Sequence, residues 1–161
     1  MKKIIALILV IVMAAVLFTG CARKGSASVA QIAAEEGAEL QEITGSCEIE
    51  KVDENTLRVH CTTNLIPTTK IAVTLDSYKG ENIDMEKMAI ETESFTVDFE
   101  IEDGWEYPVT ATIVSTYSDH GRQLQAVKTL YGNSFRNMTG EHVLWNSKGN
   151  FVAISSEPFE G

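Results

Sequence analysis

Cys47-Glu48-Ile49-Glu50-Lys51-Val52-Asp53-Glu54-Asn55-Thr56-Leu57-Arg58-Val59-His60-Cys61 is the stretch whose reading decides the fold. Apolar and polar residues alternate on both sides of Asp53-Glu54-Asn55, the period of half-buried strands joined by a turn. A three-residue loop, with Asn55 in the left-handed conformation that Asn tolerates, places Val52 opposite Thr56. In that register Cys47 faces Cys61 and Ile49 faces Val59, while on the other face Glu50 meets Arg58 and Glu48 meets His60. One alignment thus gathers sulfurs and apolar side chains inward and opposite charges outward. The expected product is a Cys47–Cys61 disulfide, which an oxidising compartment permits. Closing a loop of this length stabilises by about 3 kcal/mol in the chain-entropy model. Two buried thiols packed as small apolar groups are the alternative. A Cys–His catalytic pair is disfavoured, because His60 and Cys61 are neighbours in one strand and point to opposite faces.

The same period continues along the chain. Ile71, Val73 and Leu75 alternate with Ala72, Thr74 and Asp76; Phe95, Val97, Phe99 and Ile101 alternate with Thr96, Asp98, Glu100 and Glu102. Val109 to Thr116 repeats the pattern, and His142 to Asn146 and Asn150 to Ser155 flank a Ser147-Lys148-Gly149 turn. Gln123 to Tyr131 has a helical period instead, with Leu124, Val127 and Leu130 or Tyr131 on one face and Gly132 at the C-cap. About eight short strands with one short helix predict a mainly β fold, an immunoglobulin-like antiparallel β-sandwich. A closed barrel is the alternative connectivity.

The N-terminus reads as an address. Lys2 and Lys3 precede an apolar run of 15 residues, Ile4 to Phe18, and then Thr19, Gly20 and Cys21. These are the parts of a secretory signal peptide, and the run is shorter than the roughly 20 residues a membrane-spanning helix needs. Leu17-Phe18-Thr19-Gly20-Cys21 resembles the lipobox of bacterial lipoproteins, with Phe18 where Leu is commonest. The resemblance implies removal of residues 1–20, thioether lipidation of Cys21, and a chain anchored to the cell membrane on its extracytoplasmic side. Each buried acyl methylene contributes about 0.8 kcal/mol, so two or more chains form a stable tether.

Residues 21–45 read as a lipidated linker. Ala22 to Ala30 is small and polar, and Ala30 to Leu40 could form a short helix with Ile32, Glu36 and Leu40 at helical intervals. Residues 46–157 carry the sandwich, and 158–161 a tail. Without Lys2 and Lys3 the mature chain has 11 basic and 23 acidic residues, a net of −12. That balance argues against nucleic acid, whose phosphates need basic side chains, and against docking of the domain itself on anionic lipid.

No Gly-x-Ser-x-Gly elbow, His-Glu-x-x-His or phosphate-binding glycine loop occurs. His60, His120 and His142 have no ligand-like spacing, so no metal and no cofactor is expected. Asp98, Glu100 and Glu102, with Glu91 and Glu93 before them, read as the solvated face of a strand. Trp105, Tyr107, Tyr117, Tyr131 and Trp145 lie near strand ends, where aromatics stack on sugars, anchor a protein partner, or plug the core. Trp105, Tyr107, Tyr117 and Trp145 are the candidate ligand-binding residues.

Thr62-Thr63-Asn64-Leu65-Ile66-Pro67-Thr68-Thr69-Lys70-Ile71 is similar to a pattern in uncharacterised lipoproteins of Gram-positive bacteria, in which a strand ends in Thr-Asn-Leu-Pro before an Asp-Gly-Thr turn. Here the proline is displaced by one and Asp-Gly is replaced. Gln123 to Gly140, with Val127, Gly132 and Met138-Thr139-Gly140, resembles the short helix and glycine-marked loop of the same proteins. The resemblance implies an immunoglobulin-like sandwich and a lipoprotein address, and supplies no activity. The expectation is a non-enzymatic, membrane-anchored module that binds a cell-wall or extracellular protein partner or organises the envelope. The alternatives are a small extracytoplasmic hydrolase with paired carboxylates and a solute-binding accessory of a transporter.

Overall fold

A computed structural model describes residues 28–29, 34–102, 104–119 and 121–161. The signal peptide, Cys21, Ile32 and His120 lie outside the described residues. The strands are β1 (Ser28–Val29), β2 (Gln41–Glu42), β3 (Gly45–Asp53), β4 (Thr56–Thr63), β5 (Lys70–Ser77), β6 (Asn82–Ala89), β7 (Ser94–Glu100), β8 (Val109–Ser115), β9 (Met138–Thr139), β10 (Val143–Asn146) and β11 (Gly149–Ser155). Among the described residues one α-helix, α1 (Gln125–Tyr131), is followed by a 3₁₀ turn at Asn133–Phe135.

The expected hairpin opens the fold. Residues 45–51 of β3 pair with β4 in the anticipated register, Cys47 opposite Cys61 and Ile49 opposite Val59. The turn differs from expectation: Asp53 pairs with Thr56, so the loop is Glu54-Asn55, and the extra residue is absorbed as a bulge at Val52. The Asp53 carboxylate accepts the Asn55 backbone N–H at 2.8 Å and closes the turn.

Period two in the sequence becomes two packed layers. The smaller sheet has the order β3-β4-β7, the larger β1-β10-β11-β8-β5-β6. Leu57, Val59 and Cys61 of β4 and Val97 and Phe99 of β7 face Ile71, Val73 and Leu75 of β5, Ala111 and Ile113 of β8, and Val152 and Ile154 of β11, all buried in one core. Burial of such side chains contributes on the order of 1.5–3 kcal/mol each. Successive hairpins belong to different sheets: β7 returns beside β4, and β8 inserts between β5 and β11. This interleaving is the immunoglobulin-like sandwich, and two separate sheets exclude the closed barrel.

Close approach of the layers explains Gly45. A Cβ there would collide with the Thr62 carbonyl and lie 2.8 Å from Ile154 Cδ1. At the start of β5 Gln123, in the loop before α1, acts as a strand substitute. Its Oε1 accepts the Lys70 N–H at 2.9 Å, and its Nε2 donates to the carbonyls of Lys70 at 2.8 Å and Thr116 at 2.9 Å.

The expected linker is largely part of the domain. Residues 34–40 contain a turn at Glu36-Gly37 rather than a helix. β2 pairs in parallel with β9, and Ile43 is buried in the core. The Asn137 side-chain oxygen accepts the Glu35 N–H at 3.1 Å, and the Glu35 carboxylate accepts the Asn133 N–H at 3.3 Å. The domain boundary therefore lies N-terminal to Gly45. The C-terminal tail is also docked: Phe159 exchanges backbone hydrogen bonds with Val109 at 2.8 and 3.0 Å, and its ring meets Tyr107 edge-on.

Candidate functional site

The cysteine pair and the groove beside it form the most distinctive chemical feature of the described residues. Thr63 N–H donates to Glu93 O on the β7 side, and Asn64 N–H donates to Thr44 O on the β3 side. Hydrogen-bonding direction alternates along a strand, so Cys61, like Thr63, directs its backbone groups to β7. Cys47 and Cys61 therefore occupy a non-hydrogen-bonded pair, where antiparallel Cα atoms stand about 4.5 Å apart. That spacing lies inside the range of about 4.4–6.8 Å that disulfides span. Both residues are free thiols in this structure, and both are buried.

The two cysteines have different surroundings. Cys47 lines an open groove of about 530 Å³ between the free edge of β3 and the C-terminal segment, with Ser46, Ile49, Ser156, Glu157 and Phe159. Cys61 is not part of its lining. The Cys47 thiol lies 3.2 Å from the Ile154 carbonyl, to which it donates. A hydrogen bond from Cys61 lowers the Cys47 pKa below the ordinary thiol value, against the opposing effect of burial. Cys61 is pushed well above that value, first by its hydrogen bond to Cys47 and then by burial.

The aromatic candidates do not converge. Tyr107 and Tyr117 lie beyond opposite ends of β8, seven residues long and so about 23 Å. Tyr107 packs on Phe159. Tyr117 meets Phe135 edge-on, donates its hydroxyl to Asn133 Oδ1 at 3.0 Å and lies under the Lys128 ammonium. Trp105 borders a shallow groove with Lys79, Asn82 and Ile83, and its ring packs on the core. Trp145 lies on β10, paired with Ser28 of β1, half-buried and outside that core cluster. Tyr131 is fully internal, its hydroxyl accepting the Ile66 N–H at 2.9 Å, and burial raises its pKa. Tyr117 and Tyr131 both meet Phe135 edge-on, while Trp105, Tyr107 and Trp145 lie elsewhere.

Charged side chains are sorted by face. The outer face of the smaller sheet carries Glu48, Glu50, Arg58, His60, Asp98 and Glu100. Arg58 and His60 stand opposite Glu50 and Glu48 as expected, but the ion pairs run elsewhere. Arg58 forms a two-pronged pair with Asp98 at 2.6 and 2.7 Å, and His60 reaches diagonally to Glu50 at 2.8 Å. The Arg58 guanidinium holds Asp98 below the usual carboxylate range. Among the described residues no group of three or more His, Cys, Asp or Glu side chains is placed to hold a metal ion. Along the larger sheet, the outward positions Ala72, Thr74, Thr112, Val114, Leu144 and Phe151 are apolar or threonine.

A groove of about 630 Å³ between residues 35–41 and α1, lined by Glu35, Glu39, Ala126, Leu130 and Asn137 among others, escaped the sequence reading. Its walls come from segments about a hundred positions apart, and neither carries a local motif. The groove beside Cys47 escaped it for the same reason. Its only local signal is Glu157-Pro158-Phe159, a proline and an aromatic after the last strand. No helix among the described residues is long and apolar enough to cross a membrane. Comparison with protein-family models, with curated proteins and with solved structures finds no match.

Proposed function

We propose that this chain is a lipid-anchored extracytoplasmic protein, of the kind represented by the Gram-positive lipoproteins it resembles, whose sandwich works by binding a cell-wall or extracellular protein partner. The observation that carries the reading is the N-terminal sequence: two lysines, an unbroken apolar run and Gly20-Cys21. The position of the domain agrees with it. Ser28, already paired with Trp145, follows Cys21 by only seven residues, so the tether reaches at most about 25 Å. A domain held that close to a bilayer presents its grooves to the wall and its contents. The net charge of −12 left once Lys2 and Lys3 are removed suits a module that stays clear of an anionic lipid surface.

Fractionation of cells expressing the full chain, with mass analysis of its N-terminal peptide, tests the anchor. The expected product lacks residues 1–20, carries acyl chains on Cys21 and sediments with membranes, whereas Cys21→Ala releases it. A protein that still begins at Met1 with an unmodified thiol overturns the reading. The binding half is tested by equilibrium measurements against purified wall glycans and extracellular proteins of the same organism. Saturable binding is expected, and uniform silence refutes it.

A further inference from the structure

We propose that the free edge of β3, with the C-terminal segment facing it, is a strand-addition site for an extended, basic polypeptide segment of a partner protein. The proposal deepens the protein-binding reading above and rests on it. β3 ends the smaller sheet, and among the described residues no strand pairs with its outer side. Ser46, Glu48 and Glu50 direct their backbone groups to β4, in phase with Thr44, whose carbonyl accepts the Asn64 N–H. Gly45, Cys47 and Ile49 therefore turn theirs outward. The run from Gly45 to Ile49 lines the groove of about 530 Å³ beside this edge. It spans about 17 Å, the length of an average strand. The Cys47 thiol is directed to the Ile154 carbonyl, so what this residue offers the groove is its backbone.

The opposite wall is held in place. Ser156 N–H donates to the Ala111 carbonyl at 2.8 Å, and Phe159 is tied to Val109 in both directions at 2.8 and 3.0 Å. An added strand thus enters a preformed slot and meets a row of outward donors and acceptors, the means by which sheet edges capture extended peptides. Charge selects the occupant. Glu48 and Glu157 both line the groove and are exposed, and among the described residues neither is in an ion pair. Ile49, Pro158 and Phe159 supply apolar lining. Side chains alternate in direction along an added strand: one set meets Ile49, and the other stands beside Glu48 and Glu50. The fitting segment therefore alternates apolar residues with Lys or Arg. A second copy of this chain is disfavoured, because β3 against β3 sets Glu48 and Glu50 against their like. A glycan lacks the backbone that would continue a sheet.

The test uses the full mature chain and, as probe, a synthetic peptide of alternating lysine and valine about nine residues long. Nuclear magnetic resonance should show saturable binding, with the Cys47 and Ile49 amides shifted and slowed in hydrogen exchange. Methylating one alternate set of the peptide's backbone nitrogens should abolish binding, and methylating the other set should leave it intact, since an added strand bonds along one side only. Glu48→Lys with Glu157→Lys should weaken binding at least about tenfold. The same charge change at the end of β7, Glu100→Lys with Glu102→Lys, should alter it less than about twofold. Absence of saturable binding, unmoved Cys47 and Ile49 amides, or equal binding by both methylated peptides overturns the proposal, as do dimers joined through β3 in the peptide-free chain. A wall glycan or extracellular protein that binds while these amides stay unmoved refutes the site and leaves the binding reading standing. A peptide seated on the edge while no extracellular protein binds does the reverse.

Discussion

Replacing Gln123 with alanine probes the joint between β5, β8 and the loop before α1. Gln123 is 2% exposed and makes three hydrogen bonds, to the Lys70 N–H, the Lys70 carbonyl and the Thr116 carbonyl. The Lys70 carbonyl retains a partner in the substituted protein, because Ser115 Oγ also donates to it at 3.0 Å. The Lys70 N–H and the Thr116 carbonyl do not. Each polar group stranded in a part-buried setting costs about 1–3 kcal/mol, so the expected loss is about 3 kcal/mol. In urea, where small domains have slopes of about 1–3 kcal/mol per molar, the unfolding midpoint should fall by roughly 1–3 M at unchanged slope. Gln123→Glu sharpens the test. At neutral pH its carboxylate can accept from Lys70 N–H but faces two carbonyls, which raises its folded pKa above the unfolded value. Stability should therefore return as pH falls and the protonated carboxyl donates, and should be lost again as pH rises through that raised pKa. A Gln123→Ala loss under about 0.5 kcal/mol would refute the assigned role.

Two further expectations concern packing and charge. Gly45→Ala should cost about 1–3 kcal/mol in a chemical melt, because the added methyl meets the Thr62 backbone as well as Ile154, and overpacked sites resist relaxation; a neutral effect would mean that the two sheets are further apart here. Asp98 should titrate below the ordinary carboxylate value of about 3.9 by nuclear magnetic resonance. Its contribution is complete at neutral pH and fades as pH falls through that lowered pKa. Arg58→Ala should return the midpoint upward and barely move the melting temperature, since both side chains are solvent-exposed.

The strands that could be read from the sequence are those with one face buried. In β4, β7 and β8 every second residue meets the opposing layer, so the apolar stripe is visible and the register follows from it. β6 escaped notice for the converse reason. Asn82-Ile83-Asp84-Met85-Glu86-Lys87-Met88-Ala89 pairs with β5 along one side, but it lies at the sheet's edge, beyond the smaller sheet. Most of its residues are exposed on both faces, and no stripe is needed. β2 and β9 are two residues each, too short for any period. The cysteine pairing was legible because it is local to one hairpin. The groove beside Cys47 was not, because its far wall is the chain's last turn. The spread of the aromatic candidates was not legible either, since proximity to strand ends does not say which end, and Tyr107 and Tyr117 flank the two ends of one strand.

The docked segment ahead of Gly45 also limits how the protein can be shortened. Cutting at the glycine discards Ile43 from the interior, leaves Met138 and Thr139 without the strand they pair with, and strips the Asn137 side-chain oxygen of its backbone donor. A fragment begun there would open a hole at the floor of the sandwich, with aggregation at its exposed rim as the foreseeable outcome. The smallest piece that keeps the native pairing starts no later than Ser28, whose strand pairs with Trp145 and Leu144.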